Sequence, residues 1–157
     1  MAQSKIVIGT ATPETGEDRF IGLIPDVYRG KAFGGKEQYN VIITSKHIIF
    51  ALIQAPPGKP ATTFVYAKKS IAEILAESKK NFSVERNLLK TFKFTPGHSY
   101  TDCCRKLQEI DGELEISTNK TRYSFYMPFR RTQIAKDVFA RAGFAIAEPT
   151  KSGNETR

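Results

Sequence analysis

The fold is decided by the stretch Tyr39-Asn-Val-Ile-Ile-Thr-Ser-Lys-His-Ile-Ile-Phe-Ala-Leu-Ile-Gln54, the densest run of apolar and β-branched residues in the chain. A polar tetrad, Thr44 to His47, interrupts it. Two β-rich runs on either side of a short polar segment are typical of a tight antiparallel hairpin. Because both runs are almost continuously apolar, we expect both strands to be well buried.

The composition around this hairpin is that of one globular domain. The chain has 157 residues, of which 40% are apolar and 25% charged, and this length suffices for a single core. The formal net charge of +8 predicts affinity for an anionic partner, such as a phosphate head group, nucleic acid or an acidic protein surface. A basic surface without a binding role is the alternative.

Membrane insertion and secretion are not expected. No segment reaches the roughly 18 apolar residues of a membrane span. The N-terminal apolar run, Ile6 to Ile8, is too short for a secretory signal. We therefore expect a cytoplasmic protein that is at most peripheral to a membrane.

Alternation and turn residues predict several further strands. These are Lys5 to Ile8, Phe20 to Ile24 (ended or bent by Pro25), Thr62 to Ala67, a strand beginning near Asn81, and Leu88 to Phe94. Ser70 followed by Glu73 is the pattern of a capping box, and it begins a helix predicted to run from Ile71 to Lys79.

The segment from Glu113 to Met127 predicts a second hairpin with a defined register. A two-residue turn at Asn119 and Lys120 places apolar side chains together on one face. It pairs Ile116 with Tyr123, Leu114 with Phe125, and Ser117 with Arg122 on the other face. A single register that satisfies every pair is strong evidence for the pairing.

Two segments flank this second hairpin. After it, a stripe of apolar residues predicts a helix from Arg131 to Ala142 that Gly143 ends. Before it, residues 97–111 are expected to form a loop with one helical turn, Cys104 to Gln108. The adjacent Cys103 and Cys104 are not expected to form a disulfide with each other, and one of them is expected to enter the core.

The order of elements predicts a mainly β architecture. A flat meander of about seven strands would leave exposed edges, and curling into an antiparallel barrel removes them. We expect such a barrel with one inserted helix and a C-terminal capping helix. It would form one domain over residues 1–157, with its core at about 20–143 and with 1–18 and 148–157 peripheral.

A family resemblance accompanies this architecture. The segment Thr44-Ser-Lys-His-Ile-Ile-Phe50 resembles the Thr-x-x-Arg-hydrophobic-hydrophobic-Phe signature of GRAM-like and prokaryotic PH-like domains. The resemblance covers about residues 39–142, and His47 stands where an arginine is usual. It implies the PH-like superfamily fold, which hosts phosphoinositide, phosphopeptide, proline-rich and other protein partners.

The candidate ligand-binding residues form two basic groups. In lipid-binding PH domains the first inter-strand loop carries cations that grip phosphate, and Arg29, Lys31 and Lys36 occupy a similar place here. The second group lies near the C-terminal helix, where residues 120–141 contain six cations and one anion, for a net charge of 6 − 1 = +5. Its candidates are Arg130, Arg131 and Lys136.

Catalytic and metal motifs are weak. The segment from Gly30 to Glu37 has P-loop spacing, but it ends in a carboxylate and precedes a strand. His98 lies near Cys103 and Cys104, yet a structural zinc site needs four ligands and a nucleophile pair needs an orienting group. Glu113 and Glu115, a possible acid–base pair, lie on the polar face of a strand.

The sequence therefore predicts a non-catalytic binding or adaptor module without cofactor or metal. Its partner would be a protein, captured for example beside the C-terminal helix, or an anionic membrane surface. The alternative is a nucleic-acid-binding β-barrel, although the chain has no RNP-type aromatic signature and no helix-turn-helix. An enzyme ranks behind both.

Overall fold

The computed structural model describes residues 17–30, 34–53 and 66–146. The strands of this part are β1 (Phe20–Gly30), β2 (Lys36–Thr44), β3 (His47–Leu52), β4 (Phe82–Glu85), β5 (Thr91–Thr95), β6 (His98–Thr101), β7 (Leu107–Ile110), β8 (Gly112–Ser117) and β9 (Arg122–Met127). The helices are α1 (Ile71–Ala76) and α2 (Thr132–Arg141), and 3₁₀ turns cover Arg86–Leu88 and Phe129–Arg131.

The predicted fold class, mainly β with helices, is confirmed. Seven strands form one antiparallel sheet in the order β4-β3-β2-β1-β9-β8-β5, and β6 pairs with β7 in a separate two-stranded sheet. None of the helices in the described part of the chain has the length and hydropathy that a membrane span requires.

The central hairpin forms as predicted. Strands β2 and β3 are antiparallel, with Val41 opposite Phe50 and Ile42 opposite Ile49. Alternate residues face two different cores. Val41 and Phe50 belong to the larger core under α2, while Ile42 and Ile49 pack on the outer face of the sheet with Ile74 of α1. Both faces are therefore buried, which explains the nearly continuous apolar sequence.

The sheet is strongly curved. Strands β1 and β2 lie between β3 and β9, so in a flat sheet β3 and β9 would be about 14 Å apart. Yet the rings of Phe50 in β3 and Phe125 in β9 stack at 4.6 Å between centroids. Phe82 of β4 likewise stacks on Tyr123 of β9 at 4.9 Å. The two halves of the sheet thus close over one aromatic core.

Helix α2 covers an open side of this core. Its buried face consists of Ala135, Val138 and Phe139, and Val138 lies so near Gly22 of β1 that a β-carbon there would be 2.8 Å from it. The observed helix is within one residue of the predicted range at each end. Gly143, at φ +84°, ends it as expected.

The second predicted hairpin and the capping box are also confirmed. In β8 and β9, Leu114 is opposite Phe125, Ile116 is opposite Tyr123 and Ser117 is opposite Arg122. In α1, the Ser70 side chain accepts from the Glu73 amide while the Glu73 side chain accepts from the Ser70 amide. These features depend on neighbours in sequence, which is why local patterns predict them.

Several element boundaries differ from prediction. Strand β1 does not stop at Pro25 but continues to Gly30 through an irregularity between Ile24 and Val27, where Asp26 takes φ +63°. Helix α1 ends at Ala76 rather than Lys79. The predicted strand from Leu88 is β5 only from Thr91, because a 3₁₀ turn precedes it.

The loop predicted for residues 97–111 is wrong. Instead of a helical turn at Cys104 to Gln108, β6 and β7 pair antiparallel from His98↔Ile110 to Thr101↔Leu107. Both cysteines are exposed, so the prediction that one of them enters the core is wrong. Four residues of mixed polarity in each strand carry too little alternation to be recognised as β structure.

Other predicted elements lie partly or wholly outside the described residues. The strand from Lys5 to Ile8 and the peripheral tail from residue 148 are outside them. Of the predicted strand Thr62 to Ala67, only Tyr66 and Ala67 are described, and both are helical.

Candidate functional site

Arg29, the first of the cations predicted to bind a ligand, lies against the rings of the aromatic core. Its Nε donates to Glu37 Oε2 at 3.2 Å and its terminal nitrogen donates to the Tyr39 hydroxyl at 3.0 Å. Its guanidinium also lies 5.4 Å from the ring centroid of Tyr39 and 5.7 Å from that of Phe125. A cation held by a carboxylate and by ring faces stabilises the fold and is less available to a phosphate.

Glu37 accepts hydrogen bonds from several side chains beside the aromatic core. Besides Arg29, it accepts from the Tyr39 hydroxyl at 2.9 Å and from Lys80 Nζ at 2.7 Å. The hydrogen bonds from Lys80 and then from Tyr39 lower the pKa of Glu37 to about 2. The carboxylate therefore stays ionised over the physiological range and neutralises part of the predicted basic site.

Lys36 lies over an aromatic pair on the outer face of the sheet. Its Nζ is 4.3 Å from the ring centroid of Tyr28, and Tyr28 stacks on Tyr126 at 5.7 Å. The Tyr28 hydroxyl donates to Asp111 Oδ2 at 2.5 Å. Burial, followed by this hydrogen bond, raises the pKa of Tyr28 to about 12.

The second basic group converges on Asp26. Arg131 reaches Asp26 Oδ2 at 2.7 Å and Arg130 reaches the same oxygen at 3.4 Å. The bulge in β1 gives Asp26 its left-handed conformation at φ +63° and coincides with this ion pair. Lys136 lies on α2 without an ion pair among the described residues, and Lys31 falls outside them.

The structure therefore does not bring the five described candidate cations together in one site. Three of the five in the described ranges pair with carboxylates: Arg29 with Glu37, and Arg130 and Arg131 with Asp26. Lys36 lies over a tyrosine ring. A phosphate would have to compete with the carboxylates that these arginines already contact.

A groove that sequence analysis did not identify lies beside β4. Its volume is about 460 Å³. Its lining combines the edge of β4 with the turn between β8 and β9: Ser83, Val84, Glu85, Leu88, Thr118, Asn119, Lys120, Thr121 and Tyr123. Leu88 is 56% exposed, so the groove presents an apolar side chain to solvent.

The backbone of β4 presents a free edge to this groove. Among the described strands, β4 is last in the sheet order and pairs with β3 alone. Just beyond its end, the Arg86 amide donates to the Lys46 carbonyl at 2.8 Å. Because amides alternate in direction along an antiparallel strand, those of Ser83 and Glu85 point away from β3, toward the groove.

A second cavity of about 450 Å³ adjoins the first at Glu85. Its other lining residues come from the β2–β3 turn and the start of the 3₁₀ turn: Ser45, Lys46, His47, Arg86 and Asn87. Arg86 is committed to the fold, since it donates to the carbonyls of Thr44 and Ser45. Its partial burial lowers its pKa.

His47 is held by a residue far away in sequence. Its Nδ1 lies 2.6 Å from Asp18 Oδ2, and the Asp18 side chain is only 1% exposed. Asp18 also accepts from the Lys46 amide at 2.9 Å and from the Ser45 hydroxyl at 3.1 Å. Ser45 therefore bonds the carboxylate itself, an arrangement different from a Ser–His–Asp relay, in which histidine lies between the other two.

The other motifs considered in the sequence, a metal site, a Cys–His pair and an acid–base pair, do not form a site among the described residues. No group of three histidine, cysteine or acidic residues in the described ranges could hold a metal ion. His98 begins β6 at the end away from the cysteines, so the predicted Cys–His proximity is one of sequence only. Glu115 forms an exposed ion pair with Arg122 at 3.3 Å.

No family model, no curated protein and no solved structure matches the chain.

Proposed function

We propose that this chain is a non-catalytic binding module with a PH-like arrangement of strands, and that it engages a protein partner through the free edge of β4. The strand order, with a C-terminal helix packed over the core, supports the PH-like part of the proposal. The observation that carries the binding mode is the groove of about 460 Å³ beside an unpaired strand edge.

An extended segment of the partner would pair with β4. The outward amides and carbonyls of Ser83 and Glu85 supply main-chain hydrogen bonds, which give affinity without demanding a particular sequence. Tyr123 and the exposed Leu88 supply an apolar contact for one side chain of the partner. The turn residues Thr118 to Thr121 form the opposite wall.

The charge distribution favours a protein over a membrane or nucleic acid. Anionic head groups and phosphate backbones are bound by cations that are free to pair. Here Arg29, Arg130 and Arg131 already pair with carboxylates. These three candidate arginines are therefore less available to a phosphate.

A backbone substitution tests the mode of binding. Ser83→Pro removes one outward amide, and proline is tolerated on an edge strand. Ser83→Ala is the matched control, because it removes the hydroxyl and keeps the amide. Peptides selected from a random library of extended sequences are titrated against each variant by calorimetry, with circular dichroism to verify folding.

We expect Ser83→Pro to bind such a peptide about 10-fold more weakly than Ser83→Ala, as the loss of one main-chain hydrogen bond implies. Equal affinities would rule out pairing at β4. Sedimentation with anionic but not neutral liposomes at low salt, together with no peptide binding, would favour the membrane surface instead. Retention of a nuclease-sensitive partner would favour nucleic acid.

A further inference from the structure

The hairpin formed by β6 and β7, here called the arm (His98–Ile110), projects from the main sheet. Its strand residues are exposed except for the half-buried Gln108. Three of its large apolar side chains, Tyr100, Leu107 and Ile110, are 42–65% exposed. An isolated two-stranded hairpin is marginally stable in water, so its root and its tip must hold it in place.

The root is held by close backbone contact. A β-carbon on Gly97 would lie 2.6 Å from the Ile110 carbonyl oxygen and 2.7 Å from Thr132 Oγ1. A β-carbon on Gly112 would lie 2.9 Å from the Gly97 nitrogen. The two glycines therefore let the arm leave the sheet against the start of α2, and they fix its direction.

The tip is held by one carboxylate. Asp102 Oδ1 accepts from the amides of Cys104 and Lys106, each at 2.9 Å, and Oδ2 accepts from Gln108 Nε2 at 2.9 Å. The Asp102 amide donates to the Lys106 carbonyl, and the Arg105 amide donates to the Asp102 carbonyl. The main chain that carries Cys103 and Cys104 is therefore fixed.

The two thiols at this tip are suitably spaced to chelate one metal ion. Both are exposed, and their Sγ atoms are 3.9 Å apart. In a tetrahedral thiolate site with zinc–sulfur bonds of about 2.3 Å, neighbouring sulfurs are about 3.8 Å apart. A disulfide would need about 2.05 Å. The pair thus matches one edge of a ZnS₄ tetrahedron.

For a four-thiolate zinc site, the arm supplies cations that offset the negative charge, but it supplies only two of the four ligands. Four thiolates around Zn²⁺ carry a formal charge of −2, and Arg105 and Lys106 are exposed cations beside the sulfurs. Within the described residues no third histidine, cysteine or acidic group joins the pair. Structural zinc sites are almost always four-coordinate, and a second copy of the arm would supply two further thiolates to complete the set.

We propose that the arms of two copies of this chain share one thiophilic metal ion of the Zn²⁺ class, bound by Cys103 and Cys104 of each copy. Binding displaces four thiol protons: Zn²⁺ and four cysteine thiols give Zn(S-Cys)₄²⁻ and four H⁺. Uptake therefore weakens as pH falls. Because each arm projects from its sheet, the tips meet without moving the groove beside β4, and this proposal is independent of the proposed function.

The test is metal titration of the full chain under oxygen-free conditions with a phosphine reductant. Cd²⁺ serves as the spectroscopic probe and Zn²⁺ as the metal for mass measurement by light scattering. We expect a thiolate-to-metal charge-transfer band that saturates at one ion per two chains. We also expect the mass to rise from 17.6 kDa to twice that value, and to return when a chelator is added.

Variants separate the thiols from the rest of the arm. Cys103→Ser/Cys104→Ser should lose the absorption band and the dimer, whereas Tyr100→Ser, a control on the same arm, should keep both. Saturation at one ion per chain without a change in mass would overturn the proposal. So would a dimer that persists in chelator, or uptake by the double variant equal to that of the wild-type chain.

Discussion

Asp18 and His47 face each other across the β2–β3 turn, with Oδ2 and Nδ1 2.6 Å apart. The contact joins the segment before β1 to the first residue of β3. Asp18 also accepts from the Lys46 amide and the Ser45 hydroxyl. One buried carboxylate thus organises the turn of the central hairpin.

Replacing Asp18 should therefore destabilise the whole fold. Asp18→Ala leaves three donors without their acceptor, and we expect the free energy of unfolding to fall by about 2–3 kcal/mol. Urea denaturation at neutral pH measures the change. Asp137→Ala is the control: Asp137 is exposed and its side chain accepts from Gln133 on the same helix, so its loss should change stability by no more than about 0.5 kcal/mol. Similar effects of the two variants would contradict the structural role of Asp18.

Glu37 should make stability sensitive to acid. Its folded pKa of about 2 is below the ordinary value of 4.5, so its contribution is present above pH 4.5 and is lost as pH falls toward 2. We expect the wild-type unfolding free energy to fall more steeply between these pH values than that of Glu37→Gln. Urea denaturation at a series of pH values checks this. Parallel pH profiles would show that the three hydrogen bonds to Glu37 are not formed in solution.

Tyr28 should make stability sensitive to alkali. Its folded pKa of about 12 is above the ordinary value of 10.0, so its contribution is complete below pH 10 and is lost as pH rises toward 12. Burial also raises the pKa of Tyr39, so phenolate absorption should show two tyrosines that titrate late, and Tyr28→Phe should remove the amplitude of one of them. Tyr126→Phe is a matched control that keeps the Tyr28–Asp111 hydrogen bond. If the late component has the same amplitude in Tyr28→Phe as in the wild-type chain, the assignment is wrong.

The root of the arm should not accept a side chain. Gly97→Ala places a β-carbon 2.6 Å from the Ile110 carbonyl, and we expect it to lower the free energy of unfolding by about 1–3 kcal/mol. Gly30→Ala is the control, because nothing lies within 4 Å of the added atom. Thermal denaturation measures both variants, and limited proteolysis should cut the arm of Gly97→Ala first. An unchanged melting temperature for Gly97→Ala would show that the root is looser than the structure indicates.

Local patterns predict those elements whose partners are near in sequence. The register of β8 and β9 follows from alternation on either side of Asn119 and Lys120, and it is the observed register. The cap at Ser70 follows from Glu73 three residues later. The arm was missed although its two short strands are symmetric about Asp102 to Lys106, because exposure on both faces removes the apolar alternation that identifies a strand.

The candidate site could not be predicted in the same way. Arg29, Arg130 and Arg131 are visible in the sequence as cations, but nothing nearby indicates that Glu37 and Asp26 hold them. Arg131 and Asp26 are 105 positions apart and meet because β1 pairs with β9. The groove beside β4 likewise arises where that strand meets the β8–β9 turn.

The sequence alone thus determined the mainly β class, the central hairpin of β2 and β3, the second hairpin and the helix after it. Each depends on periodicity and turn chemistry, which act over a few residues. Only the tertiary structure decided which charges are paired, where a strand edge stays free and how the cysteines are presented. Those features depend on the curvature of the sheet and on contacts between segments far apart in the sequence. Patterns among neighbouring residues do not reveal such contacts.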